Sequence, residues 1–242
     1  MPSPPFAPRP RSPSALLANP ALRTYHPVAM QPDDFPRPDL ARALLPHAFD
    51  KVDAAHDEGH LARVWRNVAR IAAEEGGDAD ILVPATILHD CVWVDKASPD
   101  RAQASRMAAR KAETLLAGLG WSAPAIAAVA HAIAAHSFSA GIPPETLEAR
   151  ILRDADRLDA IGFIGVARCF ALAGARGAAL YDPADPAGAA RAADDGAFAL
   201  DHFRTKLFTL EDGFLTGAGR RLAATRAARL HSFYDGLLDE IR

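Results

Sequence analysis

The sequence predicts an all-α protein, with one globular helical domain behind a proline-rich N-terminal extension. Apolar residues recur at the i, i+3, i+4 spacing of amphipathic helices along most of the chain. Residues that favour helix starts and ends flank these stretches. No alternating apolar and polar run lies between turn residues, so we predict no substantial β-sheet.

The N-terminal extension is defined by its prolines, because 12 of the 19 in the chain lie within residues 1–46. Proline lacks a backbone donor and favours extended, polyproline geometry. We therefore predict a disordered extension over residues 1–36 and a helical domain over residues 37–242. A short helix is expected at residues 37–49, before the main helices begin.

Four helices are predicted in the first half of the domain. Asp57 and Ser122 have the small polar side chains that cap helix N-termini, and each precedes an apolar periodic stretch. Pro84 is expected within about the first turn of the second helix, where its missing N–H costs least. The predicted bounds are about 57–76, 80–91, 101–119 and 124–136.

The second half of the domain is also predicted to be helical. The stretch 161–174 is apolar almost all round, which predicts a central, buried helix. Residues 181–196 are rich in Asp, Pro, Gly and Ala, so a surface excursion is expected there. The predicted helices run over about 145–159, 161–174, 197–209 and 217–241.

Composition excludes several classes of function. The net charge of −3 gives no basic surface for nucleic acid, and no apolar stretch reaches the roughly 20 residues of a membrane span. Cys91 and Cys169 lie in apolar helical contexts outside any CxxC pair, which predicts reduced, buried thiols. We expect a cytoplasmic monomer or homodimer with neither a nucleic-acid nor a membrane partner.

The strongest candidate for a functional site is the pair His89-Asp90, at the end of the apolar run 81–88. A buried imidazole and carboxylate need partners, because lost hydration costs several kcal/mol. A divalent cation is one such partner, and a hydrogen bond within the core is the other. His60 and Asp156 would complete a set of two imidazoles and two carboxylates, which suits a borderline ion such as Mn, Fe, Co, Ni or Zn.

The order of these fragments resembles the HD-domain metal-dependent phosphohydrolases. The matching pieces are His60 followed by Arg63-Val64, then His89-Asp90, then the stretch 156–159, Asp-Arg-Leu-Asp. The resemblance covers about residues 50–240, with an HD core at about 56–160 and C-terminal helices over 161–242. Stretches around His136 and at 199–207 are similar to small stand-alone bacterial members.

The resemblance implies four metal ligands: His60, His89, Asp90 and Asp156. Asp154 is the rival for the last place, and only one of the two can face the ion, because two residues along a helix turn the side chain by about 200°. Asp156 is preferred, since the family's ligand commonly precedes Lys or Arg, here Arg157. Asp154 would then be solvated or paired with Arg150 or Arg153.

The implied function is metal-dependent hydrolysis of a phosphate ester or anhydride of a small metabolite, with a nucleotide favoured. Either a nucleotide pyrophosphohydrolase or a phosphomonoesterase fits. The ion would be Mn, Ni, Co, Fe or Zn, with Mg as a further candidate. The alternative is a non-catalytic, metal-dependent nucleotide sensor. The candidate catalytic residues are Asp90, Arg157 and His136, and the candidate phosphate ligands are Arg63 and Lys96.

Overall fold

The computed structural model describes residues 30–50, 57–94 and 98–241, so the predicted extension up to residue 29 and Lys96 lie outside it. Its described part contains no β-strand, only an isolated parallel bridge between Ala179 and Phe198, which confirms the all-α prediction. The α-helices that it contains are α1 Pro38–Leu44, α2 Glu58–Glu75, α3 Ala79–Leu88, α4 Ala104–Gly118, α5 Ala123–His136, α6 Leu147–Asp159, α7 Gly162–Ala175 and α8 Gly217–Ile241.

The helix boundaries follow local signals in most places. Asp57 caps α2 as predicted, because its carboxylate accepts a hydrogen bond from the His60 backbone N–H at 2.7 Å. Ser122 holds the N-cap position of α5, but its side chain makes no capping hydrogen bond. Helix α3 starts at Ala79, capped by Asp78, so Pro84 lies in the second turn rather than the first.

Two predicted helices are partly replaced by other helical forms. The stretch expected to begin at residue 101 starts as a 3-10 segment, Pro99–Gln103, before α4. The stretch 197–209 is not an amphipathic α-helix, because backbone hydrogen bonds from Ala199 and Leu200 to residues 179 and 180 hold its start. It continues as a π turn, Phe203–Leu207, and a 3-10 segment, Phe208–Leu210.

The main hydrophobic core lies between α2, α3, α5 and α6, with α4 packed against α5. Helices α3 and α6 each contact all of the other three, so these two helices are central. The prediction that 161–174 would be central is wrong. Helix α7 packs mainly against α8 and leaves Phe163 60% exposed. An apolar sequence does not determine which neighbours will cover it.

The C-terminal region has a hydrophobic cluster of its own, separate from the main core. It joins α7, the π turn and α8 through eight buried residues: Val166, Cys169, Leu200, Phe203, Leu207, Leu230, Tyr234 and Leu238. Cys91 and Cys169 are both buried and free, as expected. Burial raises the pKa of Cys91 to about 12 and that of Cys169 to about 11, so both thiols stay protonated.

Among the described residues, no single helix is both long enough and apolar enough to span a membrane. Helices α6 and α7 meet these two requirements only as a pair, which is bent by 61° at the break between them.

Candidate functional site

The four side chains predicted from three separate segments converge at one place. The Nε2 atoms of His60 and His89 are 3.3 Å apart. His60 Nε2 lies 3.5 Å from Asp156 Oδ1 and 3.7 Å from Asp90 Oδ2, and His89 Nε2 lies 3.5 Å from Asp90 Oδ2. One donor atom each from His60, His89 and Asp156 can be chosen so that all lie within 4.8 Å of one another.

Each residue of this cluster sits near the end of a helix. His60 occupies the first turn of α2, fixed there by the Asp57 cap, and His89 directly follows α3. His89 Nδ1 donates a hydrogen bond to the Thr86 carbonyl oxygen at 2.8 Å, and this bond sets the tautomer of the ring. The neutral ring therefore directs the Nε2 lone pair at the cluster.

His136, the last residue of α5, joins the cluster as a third buried imidazole. Its Nδ1 donates to the Ile133 carbonyl oxygen at 2.6 Å, and its Nε2 lies 3.7 Å from Asp90 Oδ1. Its ring lies edge-on to that of His89, with 5.1 Å between centroids. Asp90 therefore lies between the His60–His89 pair on one side and His136 on the other.

Asp159 is a site residue that the sequence analysis quoted but gave no role. Its carboxylate is 1% exposed and contacts His60 Nδ1 at 2.8 Å, Arg63 Nε at 2.6 Å and Arg168 Nη1 at 2.7 Å. Burial raises the pKa of Asp159, but the hydrogen bonds from His60 and Arg63 outweigh it and hold the pKa at about 2. The ionised carboxylate thus orients His60, with its Nε2 toward the cluster. The available signal was its spacing of three residues from Asp156, which puts both on one helix face.

The two histidines differ in their electrostatic surroundings. Burial lowers the pKa of His60, but the hydrogen bond to Asp159 and the charges of Asp156 and Asp90 outweigh it, so the net direction is upward. Burial lowers the pKa of His89, and the nearby carboxylates do not offset that effect. His89 is therefore favoured in the neutral form that can bind a metal.

Asp154 does not share the surroundings of Asp156. It is fully buried, and its carboxylate accepts hydrogen bonds from Leu215 N at 2.9 Å, Thr216 N at 2.8 Å and Thr216 Oγ1 at 2.7 Å. The expectation that Asp154 would be solvated or paired with Arg150 or Arg153 is wrong. Its carboxylate instead holds the segment that leads into α8, so of these two rivals only Asp156 lies beside His60 Nε2.

A cavity of about 790 Å³ opens beside the cluster. Asp90, Asp156 and His136 form part of its wall. The cavity also contains four cationic side chains and one largely exposed aromatic ring, which are Arg101, Arg157, Arg168, Lys206 and Phe138. It can therefore admit a negatively charged ligand up to the imidazole and carboxylate groups.

The predicted phosphate ligands fall in different places. Arg63 is paired with Asp159 through two hydrogen bonds of 2.6 and 3.0 Å, and it does not line the cavity. Its observed contacts hold Asp159, and a role of Arg63 as a phosphate ligand stays a prediction. Arg157 does line the cavity, but it also donates to the carbonyl oxygens of Leu210 and Asp212 at 3.0 and 2.6 Å, so it anchors that segment.

The cluster fits a divalent transition-metal ion. Ligands on one ion with bonds of about 2.1 Å lie about 3.0–3.4 Å from one another, by the geometry of octahedral and tetrahedral sites. The closest contacts between donor atoms of the cluster are 3.3–3.7 Å long. His60 and His89 would supply imidazole nitrogens, and Asp90 and Asp156 carboxylate oxygens. Such a mixed set suits Mn, Fe, Co, Ni or Zn better than Ca, which prefers oxygen alone.

Comparison with known proteins places this chain in a family. The model of the HD domain matches residues 58–161, which include all four residues of the cluster. The curated protein YpgQ of Bacillus subtilis (strain 168) is 33% identical over 177 residues, which are 72% of this chain and 78% of that protein.

Solved structures agree with this match. The structure of Bacillus subtilis YpgQ in complex with ADP superposes with a TM-score of 0.62 at 29% identity, covering 87% of this chain and 98% of that one. An HD-superfamily hydrolase from Bacillus thuringiensis superposes with a TM-score of 0.64 at 28% identity, covering 84% of this chain and 96% of that one. The chain therefore belongs to the HD-domain family, and its fold is that of the HD-superfamily hydrolases.

Proposed function

We propose that this protein is a metal-dependent phosphohydrolase that acts on a small phosphorylated metabolite, and that this metabolite is a nucleotide. The observation that carries the proposal is the convergence of His60, His89, Asp90 and Asp156, of which Asp90 and Asp156 line a cavity with cationic side chains. The ADP complex of the YpgQ relative supports a nucleotide, since ADP joins a nucleobase to a phosphate chain.

In this proposal, His60, His89, Asp90 and Asp156 hold the ion. Mn, Ni, Co, Fe or Zn, with Mg as a further candidate, would supply Lewis acidity toward a phosphoryl oxygen and would activate water. Asp159 keeps the His60 ring fixed by its 2.8 Å contact with Nδ1, and Arg63 and Arg168 neutralise the charge of Asp159. The site is thereby preorganised before substrate enters.

His136 is the side chain best placed to move a proton. Its Nδ1 is committed to the Ile133 carbonyl oxygen, so Nε2 is the atom that exchanges a proton on the cavity side. That atom lies 3.7 Å from Asp90 Oδ1, within reach of a group bound beside Asp90. We propose that His136 accepts a proton from the attacking water or returns one to the leaving oxygen.

The rest of the cavity suits the two chemical parts of a nucleotide. Arg168 and Lys206 line it and can neutralise phosphoryl oxygens, whose charge rises during transfer. Phe138 is 75% exposed on the same cavity and offers a ring face on which a nucleobase can stack. Arg153 lies 5.6 Å and Arg157 6.0 Å from the centroid of that ring, which helps to hold the ring in place.

A hydrolysis screen tests this proposal. The full chain is assayed with nucleoside mono-, di- and triphosphates and with phosphomonoesters, in the presence of each candidate ion. Released phosphate and pyrophosphate are measured separately, which distinguishes a phosphomonoesterase from a pyrophosphohydrolase. We expect turnover of a nucleotide that depends on metal and stops on chelation.

The alternative is a non-catalytic nucleotide sensor on the same scaffold. Tight, metal-dependent nucleotide binding without turnover of any compound in the screen would favour the sensor. The absence of any rise in melting temperature on adding Mn or Ni would contradict the metal centre itself, because an ion that binds only the folded state must stabilise it.

A further inference from the structure

A second, smaller cavity adjoins the first, and none of His60, His89, Asp90 and Asp156 lines it. It has a volume of about 300 Å³ and is lined by six residues: Arg101, Cys169, Leu172, Arg176, His202 and Lys206. Arg101 and Lys206 line both cavities, so they form the boundary between them. A ligand that extends past these two side chains from the candidate active site would enter the second cavity.

This second cavity carries an excess of positive charge. Among the described residues, no carboxylate forms an ion pair with Arg101, Arg176 or Lys206, whereas Arg191 in the same region is paired with Asp182 and Asp201. Arg176 donates only a 3.4 Å hydrogen bond to the Asp195 carbonyl oxygen. Three cations around one concave surface repel one another, and a bound anion would relieve that repulsion.

The other groups around the second cavity offset only part of this charge. The carboxylate of Asp195 does not line the cavity; it accepts hydrogen bonds from His202 Nδ1 at 2.8 Å and from Thr205 Oγ1 at 3.1 Å, and its charge offsets that of Arg176 in part. Burial raises the pKa of the Cys169 thiol to about 11, so this wall of the cavity carries no thiolate. Leu172 supplies an apolar wall, which strengthens the field of the cations.

We propose that the second cavity is an anion subsite that binds linked phosphoryl groups, with Arg101 and Lys206 at its entrance and Arg176 at its far wall. Two sources of such an anion share this chemistry. One is the phosphate chain of a substrate whose reacting group lies at the histidine cluster, and the other is free inorganic pyrophosphate. Its use during turnover rests on the proposed function, but anion binding can be measured without turnover.

Binding of inorganic pyrophosphate to the full chain tests the subsite directly. It is measured by calorimetry at low ionic strength, without added metal, for the wild type and for Arg176→Gln and Lys206→Gln. We expect each variant to bind pyrophosphate about fivefold more weakly, since each loses one charge-assisted hydrogen bond at an exposed position. Both side chains are exposed, so the melting temperature should stay within about 1 °C of wild type by the rule for surface substitutions.

The matched control is Arg110→Gln, which changes the net charge equally. Arg110 is exposed on α4 and lines neither cavity. We expect this variant to bind pyrophosphate as the wild type does. Equal pyrophosphate affinity in the wild type, Arg176→Gln and Lys206→Gln would overturn the subsite, as would an equal loss of affinity in Arg110→Gln.

Kinetics then separate the two sources of the anion. A KM for a nucleoside triphosphate that rises about fivefold more than the KM for a phosphomonoester in Arg176→Gln would assign the subsite to the phosphate chain of the substrate. A rise confined to the inhibition constant of pyrophosphate would assign it to the free anion. Pyrophosphate binding that depends on Arg176 in a protein without turnover would support the subsite and contradict the proposed hydrolase. Turnover together with pyrophosphate binding that neither Arg176→Gln nor Lys206→Gln changes would support the hydrolase and contradict the subsite.

Discussion

The HD region and the C-terminal region surround their acidic side chains in different ways. In the C-terminal region, Asp201 is 1% exposed and receives hydrogen bonds from Arg191 at 2.5 and 2.9 Å and from Asp194 N at 2.6 Å. In the HD region, the side chains of Asp90 and Asp156 are 30% and 31% exposed and approach imidazole nitrogens at 3.5–3.7 Å. The first carboxylate is enclosed by protein donors, whereas the other two present oxygens to a cavity.

Helix α6 shows the same difference within six residues. Asp154 is held by backbone and hydroxyl donors of Leu215 and Thr216, and Asp159 by His60, Arg63 and Arg168. Asp156 lies between them in sequence and lines the cavity. The donors around each carboxylate therefore distinguish Asp154 and Asp159, which hold other groups in place, from Asp156, which faces the cavity.

The largest effect is expected at the residues that we propose as metal ligands. His89→Ala or Asp90→Ala should lower kcat/KM by roughly 10³-fold or more, because loss of the ion removes both water activation and neutralisation of charge. Far-ultraviolet circular dichroism should change little. His47→Ala is the control, since His47 is exposed on a short 3-10 segment. Near wild-type turnover by Asp90→Ala with saturating Mn would remove the assignment.

A second prediction compares Asp154 with Asp156 directly. Asp154→Ala leaves buried donors of Leu215 and Thr216 without an acceptor, so we expect the free energy of unfolding to fall by about 3 kcal/mol. Asp156→Ala should change it by no more than about 1 kcal/mol but should abolish the rise in melting temperature with Mn. Denaturant unfolding and metal titration measure both. The opposite pattern would make Asp154 the ligand.

Features that depend on residues close together in the sequence could be predicted, such as helix spans and caps. Contacts between side chains far apart in the sequence could not. Helix spans followed from periodicity and from caps such as Asp57, and the candidate cluster followed from the order of its motifs. The spacing of Asp159 from Asp156 indicates a shared helix face, but its contact with His60, 99 residues away, depends on the tertiary fold. The partners of Asp154 lie 61 and 62 residues downstream, so its burial could not be predicted either. Arg101 and Lys206 meet only through the tertiary fold.

A third prediction concerns Asp159, which is enclosed like Asp201 but acts on the site. Asp159→Asn weakens the interaction that orients His60, so we expect Mn affinity to fall about 10- to 100-fold, as is typical for groups that orient a metal ligand. Isothermal titration with Mn measures the change, and Asp201→Asn serves as the control for loss of a buried carboxylate. Unchanged Mn affinity in Asp159→Asn would mean that packing alone holds the His60 ring.

The smallest effect is expected at Asp201, and it should appear in stability rather than in activity. Burial raises the pKa of Asp201, but hydrogen bonds from Arg191 and Asp194 outweigh it, so the pKa is lower in the folded protein. A carboxylate whose pKa is lower in the folded protein stabilises the fold at pH values above its unfolded pKa of about 3.9. That stabilisation is lost as the pH falls through the folded pKa. Asp201→Asn should therefore melt about 3 °C below the wild type at pH 7, and the difference should shrink below about pH 4. Melting curves between pH 3 and pH 8 measure this difference. An Asp201→Asn variant that melts like the wild type at pH 7 but no longer responds to Mn would show that the Asp201 carboxylate serves the metal site. The contrast between an enclosed carboxylate in the C-terminal region and cavity-facing carboxylates in the HD region would then fail.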